Sequence, residues 1–273
     1  MEKLVITVAL VGAEVTREQS PHLPISPVEI AEDAERCRNA GAAMAHIHAR
    51  LPDGTPTQSG AVYSEILREV RARTDIITQV STGGAVGMTA EERLGSLAAR
   101  PEMATLSTGT VNFGRDVFMN PPEMIEQFAR AMVAQGVVPE IEAFDLGHVS
   151  NALALVKQGI LTLPLHFDFV MGVPGGIAPS IKNLLVMAES IPAGCTWSVA
   201  GVGRAQLPLA NAAILLGGHV RVGLEDNLYY TKGVLATNAM LVERVVRLAR
   251  ELGREVATPD EARRILRLPE RNL

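Results

Sequence analysis

Short runs rich in Val, Ile and Thr recur along the chain roughly every 20 to 40 residues, each followed by apolar positions at helical spacing, the alternation of parallel βα units. Eight strands are predicted, over Leu4–Val11, Ala42–Arg50, Asp75–Thr82, Met103–Gly109, Val138–Asp145, Leu163–Val173, Thr196–Gly203 and Gly218–Asp226. Helices are expected to begin near Pro27, Gly60, Thr89, Pro121, Gly147, Ser180, Pro208 and Lys232. Ser26-Pro27 with Glu29, Thr89 with Glu91 and Glu92, and Pro121-Pro122-Glu123 carry the capping hydroxyls, first-turn prolines and first-turn acids of helix starts. Gly41, Gly136 and Gly159 fall where left-handed helix ends are needed before the next strand.

Eight such units could form an open doubly wound sheet or a closed barrel, and the polar residues decide between them. Seven of the eight predicted strands end in glycine or in polar and charged residues, such as His46 to Arg50, Ser81 to Gly84 and Glu225 to Asn227. In a (β/α)8 TIM barrel these ends converge on one face, where the active sites of that α/β fold lie. No Gly-x-Gly-x-x-Gly follows the first strand, so a dinucleotide site gains no support. No linker or low-complexity tract divides the sequence. One catalytic domain over residues 1–273 is therefore expected, with an extra helix over Thr258–Leu268 opened by Thr-Pro-Asp-Glu.

Composition adds exclusions. The 273 residues are 47% hydrophobic, enough for a large core, and carry a formal charge of −5 with no basic stripe, so nucleic acid is not an expected partner. Cys37 and Cys195 lie far apart without a Cys-x-x-Cys spacing, which points to a reducing cytoplasm rather than a disulfide framework or thiolate zinc. The apolar run Leu4 to Ala13 after Lys3 loosely imitates a secretory leader, but Glu2 and Glu14 flank it and a first barrel strand is the better reading. No apolar stretch approaches the roughly 20 residues that span a bilayer, so no membrane is expected.

Chemistry concentrates at the strand ends. In His46-Ile47-His48 a two-residue period puts both imidazoles on one face, suited to one ion, and imidazole suits zinc. The bland alternative is one imidazole in the core and its neighbour at the rim. A catalytic zinc usually takes three protein ligands and keeps a position open; Glu225, Glu14 and Glu142 are candidates for the third. His22, His148, His166 and His219 read as structural. Arg221, Gly223 and Glu225 share a face by alternation, placing a guanidinium below a carboxylate, and a buried arginine must find an anion: Asp226, Glu142 or a substrate carboxylate. Ser81-Thr82-Gly83-Gly84 and Gly172 to Gly176 expose amides to an anion, or are ordinary turns.

Taken with Gly12 to Arg17, Leu23 to Pro27, Pro101 to Leu106, Gly109 to Gly114 and Gly218 to Asn227, these motifs resemble the β-keto acid cleavage enzyme family nearly end to end, most of all its branch acting on 3-keto-5-aminohexanoate in lysine fermentation. The resemblance implies a zinc-dependent acyltransferase barrel in which a β-keto acid and acetyl-CoA give acetoacetate and a new acyl-CoA. It implies zinc on His46, His48 and Glu225, with Arg221 and Asp226 as the unit that generates the nucleophile. Ser81, Gly84, Thr105 and Glu142 match substrate-binding positions, and Glu14 matches the glutamate that pairs with a substrate ammonium, its bland alternative being a rim ion pair with Arg17 or Arg50. The stretches Cys195 to Ser198 and Arg204 to Gln206 depart from the branch. A homo-oligomer, a tetramer, is also implied. The competing functions are an amidohydrolase-type metal-dependent barrel hydrolase, disfavoured because His-x-His lies on the second strand, and a non-catalytic binding barrel.

Overall fold

A computed structural model describes residues 1–269; residues 270–273 of the expected domain lie outside that range. Eight parallel strands close into a barrel: β1 (Ile6–Ala9), β2 (Met44–Ile47), β3 (Ile77–Val80), β4 (Met103–Ser107), β5 (Val138–Ala143), β6 (His166–Met171), β7 (Thr196–Gly201) and β8 (His219–Val222). Each pairs with its sequence neighbours, and β8 closes on β1 with Thr7 opposite Arg221. The N-terminal apolar run is thus a fully buried barrel strand.

The helices on the outside are α1 (Pro27–Ala40), α2 (Gly60–Arg73), α3 (Ala90–Leu94), α4 (Pro122–Gln135), α5 (Leu146–Lys157), α6 (Ile181–Ser190), α7 (Gln206–Leu216), α8 (Asn238–Glu251) and α9 (Pro259–Ile265). Ser26, Thr89 and Thr258 each form a capping box with the glutamate three residues on, as their spacing predicts. Gly41 and Gly136 end α1 and α4 in the left-handed conformation. Apolar strand and helix faces meet in one continuous core that includes Ile6, Tyr63, Phe128, Phe167 and Val242; each large side chain so buried contributes about 1.5–3 kcal/mol.

The observed strands are shorter than predicted at their C-terminal ends, because the polar residues there bond outside the ladder. Ala49–Arg50 pairs with Pro56–Thr57 in a separate hairpin, and the Thr82 hydroxyl donates to Thr105 O at 2.6 Å. The last long helix begins at Asn238 rather than near Lys232, since Tyr229–Thr231 and Val234–Leu235 form a hairpin first and Thr237 supplies the cap. Among the described residues no helix is long and apolar enough to cross a membrane.

Candidate active site

His46, next to last in its strand, lies between Ala9 of β1 and Gln79 of β3, and the extended chain carries His48 to the same side, ring centroids 5.3 Å apart. Glu225 reaches them from the far side of β1. Alternation along β8 does not take it there: the strand stops at Val222, and Gly223 adopts φ 153°, where a β-carbon would lie 2.0 Å from the Ala9 carbonyl oxygen. From that turn Glu225 N donates to Ala9 O at 3.3 Å and the side chain crosses above Gly12. Its Oε2 lies 3.5 Å from His46 Nε2 and its Oε1 3.5 Å from His48 Nε2. One ligand atom from each of the three residues falls within 4.8 Å of the others. His46 Nε2 and Glu225 Oε2 are buried without a hydrogen-bond partner, which is costly unless something else satisfies them. Two imidazole nitrogens and one carboxylate are a donor set that fits zinc.

Arg221, wholly buried, balances the acids around this trio. Its Nε and Nη2 donate to Asp226 at 3.0 and 3.1 Å, Nη2 also to Glu225 Oε1 at 2.6 Å, and Nη1 reaches Asp168 and Glu142 at 3.4 and 3.5 Å. Burial alone would discharge the guanidinium, but the surrounding carboxylates, Asp226 and Glu225 foremost, hold its pKa well above the ordinary value. Burial raises the Glu225 carboxyl; Arg221, His46 and His48 outweigh that and hold it well below its usual range. For Asp226 the balance falls the other way: burial, with the adjacent Glu225 charge, raises it despite Arg221.

The trio opens into a cavity of about 250 Å³ at the C-terminal mouth of the barrel, lined by His48, Arg221, Glu225 and Asp226 and by Glu14, Ser81, Gly84 and Glu142. Ser81 Oγ accepts from Gly83 N at 3.0 Å, leaving its own hydrogen free to donate into the cavity. Glu142 Oε2 accepts from Ser107 Oγ at 2.6 Å. Among the described residues Glu14 has no ion pair within contact distance: Arg17 is bound to Glu29, and Arg50, near enough to feel the Glu14 charge, donates to the carbonyls of Gly12 and Gly54. Phe113, Phe118, Phe144, Val170 and Val173 form the apolar wall. Thr105, matched to a substrate-binding position by the sequence, is fully buried and does not line the cavity; its hydroxyl accepts from Thr82 N at 3.3 Å.

Residues 3–268 match the sequence profile of beta-keto acid cleavage enzymes. The chain belongs to the β-keto acid cleavage enzyme family. It is 54% identical over 271 residues to the 3-keto-5-aminohexanoate cleavage enzyme of Fusobacterium nucleatum, covering 98% of this chain and 99% of that one. It is 40% identical over 270 residues to the 3-oxoadipate:acetyl-CoA acetyltransferase of Cupriavidus necator, at 97% and 95% coverage. The solved binary complex of ObcA with oxaloacetate superposes with a TM-score of 0.81 at 24% identity, covering 91% of this chain and 68% of that one, and shares the barrel fold.

Three further polar residues of this β-keto acid cleavage enzyme escape the sequence reading. Asp168 accepts from Ser198 Oγ at 2.6 Å and contacts Arg221; burial and the Glu140 charge push its pKa up to about 7. Gln79 bonds His46, and Glu140 pairs with His166 Nε2 at 3.3 Å. The available signal is an acid or amide inside a largely apolar strand, a group that must find a partner. Of the four histidines read as structural, three hold backbone or neighbouring groups, His148 Nδ1 accepting from Phe144 N at 3.2 Å, His219 Nδ1 from Val5 N at 3.1 Å and His166 contacting Thr196 and Glu140, while His22 is exposed.

Proposed function

We propose that this enzyme takes a cationic β-keto acid, with 3-keto-5-aminohexanoate as the leading case, and acetyl-CoA to acetoacetate and a new acyl-CoA, a reaction of lysine breakdown. The observation that carries the reading is the meeting of His46, His48 and Glu225 beside a Glu14 carboxylate that forms no ion pair among the described residues. The 3-keto-5-aminohexanoate cleavage enzyme of Fusobacterium nucleatum at 54% identity supports the same choice of substrate.

His46, His48 and Glu225 would hold zinc, which when bound supplies a Lewis acid for the keto oxygen. Ser81 donates its free hydroxyl hydrogen to the substrate carboxylate, aided by the backbone at Gly84. Glu14 pairs with the substrate ammonium at the rim. Four carboxylates (Glu14, Glu142, Glu225 and Asp226) face one guanidinium around the cavity, so its field favours cations over a second anion. Arg221 remains charged at any working pH and does not take a proton. The proton acceptor is the Asp226 carboxylate, which lines the cavity and which Arg221 aims through two hydrogen bonds. The aromatic and aliphatic wall excludes water from the acyl group during transfer.

We further assign the enzyme to the cytoplasm as a homotetramer. Ile181, Leu185 and Val186 of α6 and Leu207, Leu215 and Leu216 of α7 remain exposed, an apolar surface that association of copies would cover. The test of the function is release of acyl-CoA from acetyl-CoA and 3-keto-5-aminohexanoate by zinc-loaded protein. Turnover that needs both substrates supports it, and hydrolysis that proceeds without any coenzyme A contradicts it.

A further inference from the structure

Behind the metal-ligating histidines lies a chain of buried polar groups that the reaction itself does not use. His46 Nδ1 and Gln79 Oε1 are 2.7 Å apart. An amide oxygen only accepts, so the hydrogen of this bond belongs to the imidazole and sits on Nδ1. Nε2, the atom that faces Glu225 Oε2 at 3.5 Å, is left with its lone pair free. This arrangement depends on which way round the Gln79 amide lies. On its other side the amide lies near Glu140, a fully buried carboxylate whose pKa is lowered, against its burial, by His166 and by Gln79, while Gln79 Nε2 and both Glu140 oxygens are left buried without a hydrogen bond. A carboxylate can only accept, so the NH2 end of Gln79 turns to Glu140 and the oxygen end to His46. Glu140 and His166 are opposite each other in the β5–β6 register, and His166 Nδ1 is anchored in turn by Thr196 Oγ1 at 2.8 Å.

We propose that Gln79 is a positioning residue for the metal centre: oriented by Glu140, it fixes His46 as the Nδ1–H tautomer and so presents Nε2 to the metal. The inference rests on the metal reading of His46, His48 and Glu225. The amide is a better orienter here than a carboxylate for an electrostatic reason. A second anion at residue 79 would add charge beside Glu140, whereas a neutral amide accepts from the imidazole and turns its NH2 end toward the acid.

The test compares zinc dissociation constants, by competition with a chelating dye, for the parent, Gln79→Met and Glu140→Gln, with cobalt(II) absorption spectra as a second readout. Gln79→Met keeps side-chain length and removes the acceptor; it is expected to weaken zinc about 10- to 100-fold, as loss of an outer-shell partner of a ligating histidine does, and to change the cobalt bands. Glu140→Gln leaves the acceptor present but frees the amide to flip, so a smaller loss of roughly 3- to 10-fold is expected. A histidine nitrogen NMR spectrum of the zinc-loaded parent keeps the claim testable if either variant fails to fold: His46 must show a protonated Nδ1 and a metal-bound Nε2. A parent that binds zinc at His46 through Nδ1, or a folded Gln79→Met variant with unchanged affinity, overturns the role of Gln79 while leaving the metal site standing. A parent that binds no zinc overturns both.

Discussion

Gly12 leaves the room that Glu225 occupies: a β-carbon at residue 12 would lie 2.6 Å from Glu225 Cγ. The segment after the first strand thus shapes the candidate metal site without contributing a ligand. Gly12→Ala is expected to push the carboxylate off the two imidazoles and weaken zinc binding at least about 10-fold, while the added methyl costs roughly 1–3 kcal/mol of stability. Chelator competition and denaturant melts on the same variant measure the two effects; unchanged zinc affinity would show that Glu225 can retreat without loss.

Glu14 is expected to set substrate charge. In Glu14→Gln the shape of the cavity is kept and the anion removed, so kcat/KM for a cationic β-keto acid should fall about 10-fold or more, each factor of ten being about 1.4 kcal/mol. A neutral β-keto acid of the same length should be turned over as before. Paired assays of acyl-CoA formation with the two substrates decide it, and an undiminished preference for the cation would show that selectivity lies elsewhere.

Arg221 is the counter-ion for Asp226, Glu225, Asp168 and Glu142. Its replacement by methionine leaves these acids crowded and unpaired, with an expected destabilisation of about 3–5 kcal/mol. Arg221→Lys keeps the charge and loses the two-point grip on Asp226, so it should be the more stable of the two yet still impaired in kcat. Urea unfolding read beside kcat separates these outcomes.

Asp168 gives the fold a pH signature. Burial and the Glu140 charge raise its pKa from 3.8 to about 7. Between those values the folded chain holds a proton that the unfolded chain has released. The group's contribution is therefore complete below its unfolded pKa, declines as pH rises, and is lost above its folded pKa. Asp168→Asn removes this dependence, so between about pH 5 and pH 8 the stability difference should move in favour of the variant. A difference that stays flat with pH would count against the shift.

Much of the architecture can be read from the amino acids because each strand carries its own signal. Apolar runs followed by capped helical stretches announce βα units one at a time, and His46 and His48 announce themselves by a spacing internal to one strand. What the chain hides is whatever depends on a neighbour. Thr105 is fully buried behind the cavity, its hydroxyl bonded by the backbone of Thr82, which follows the neighbouring strand. Glu225 arrives beside His46 and His48 through a turn forced by the approach of Gly223 to Ala9, not through strand alternation. Asp168, Gln79 and Glu140 have partners set by the register across the barrel, Asp168 beside Ser198 and Gln79 beside His46. No local pattern in the sequence carries that register.

The measurement closest to the centre of this account is an anomalous-scattering map at the zinc edge from crystals of zinc-loaded protein. A single peak about 2.0–2.2 Å from His46 Nε2, His48 Nε2 and a Glu225 oxygen is the predicted result. A map with no peak among these residues, or a structure in which Glu225 turns away to Arg221 while the ion binds elsewhere, would contradict it.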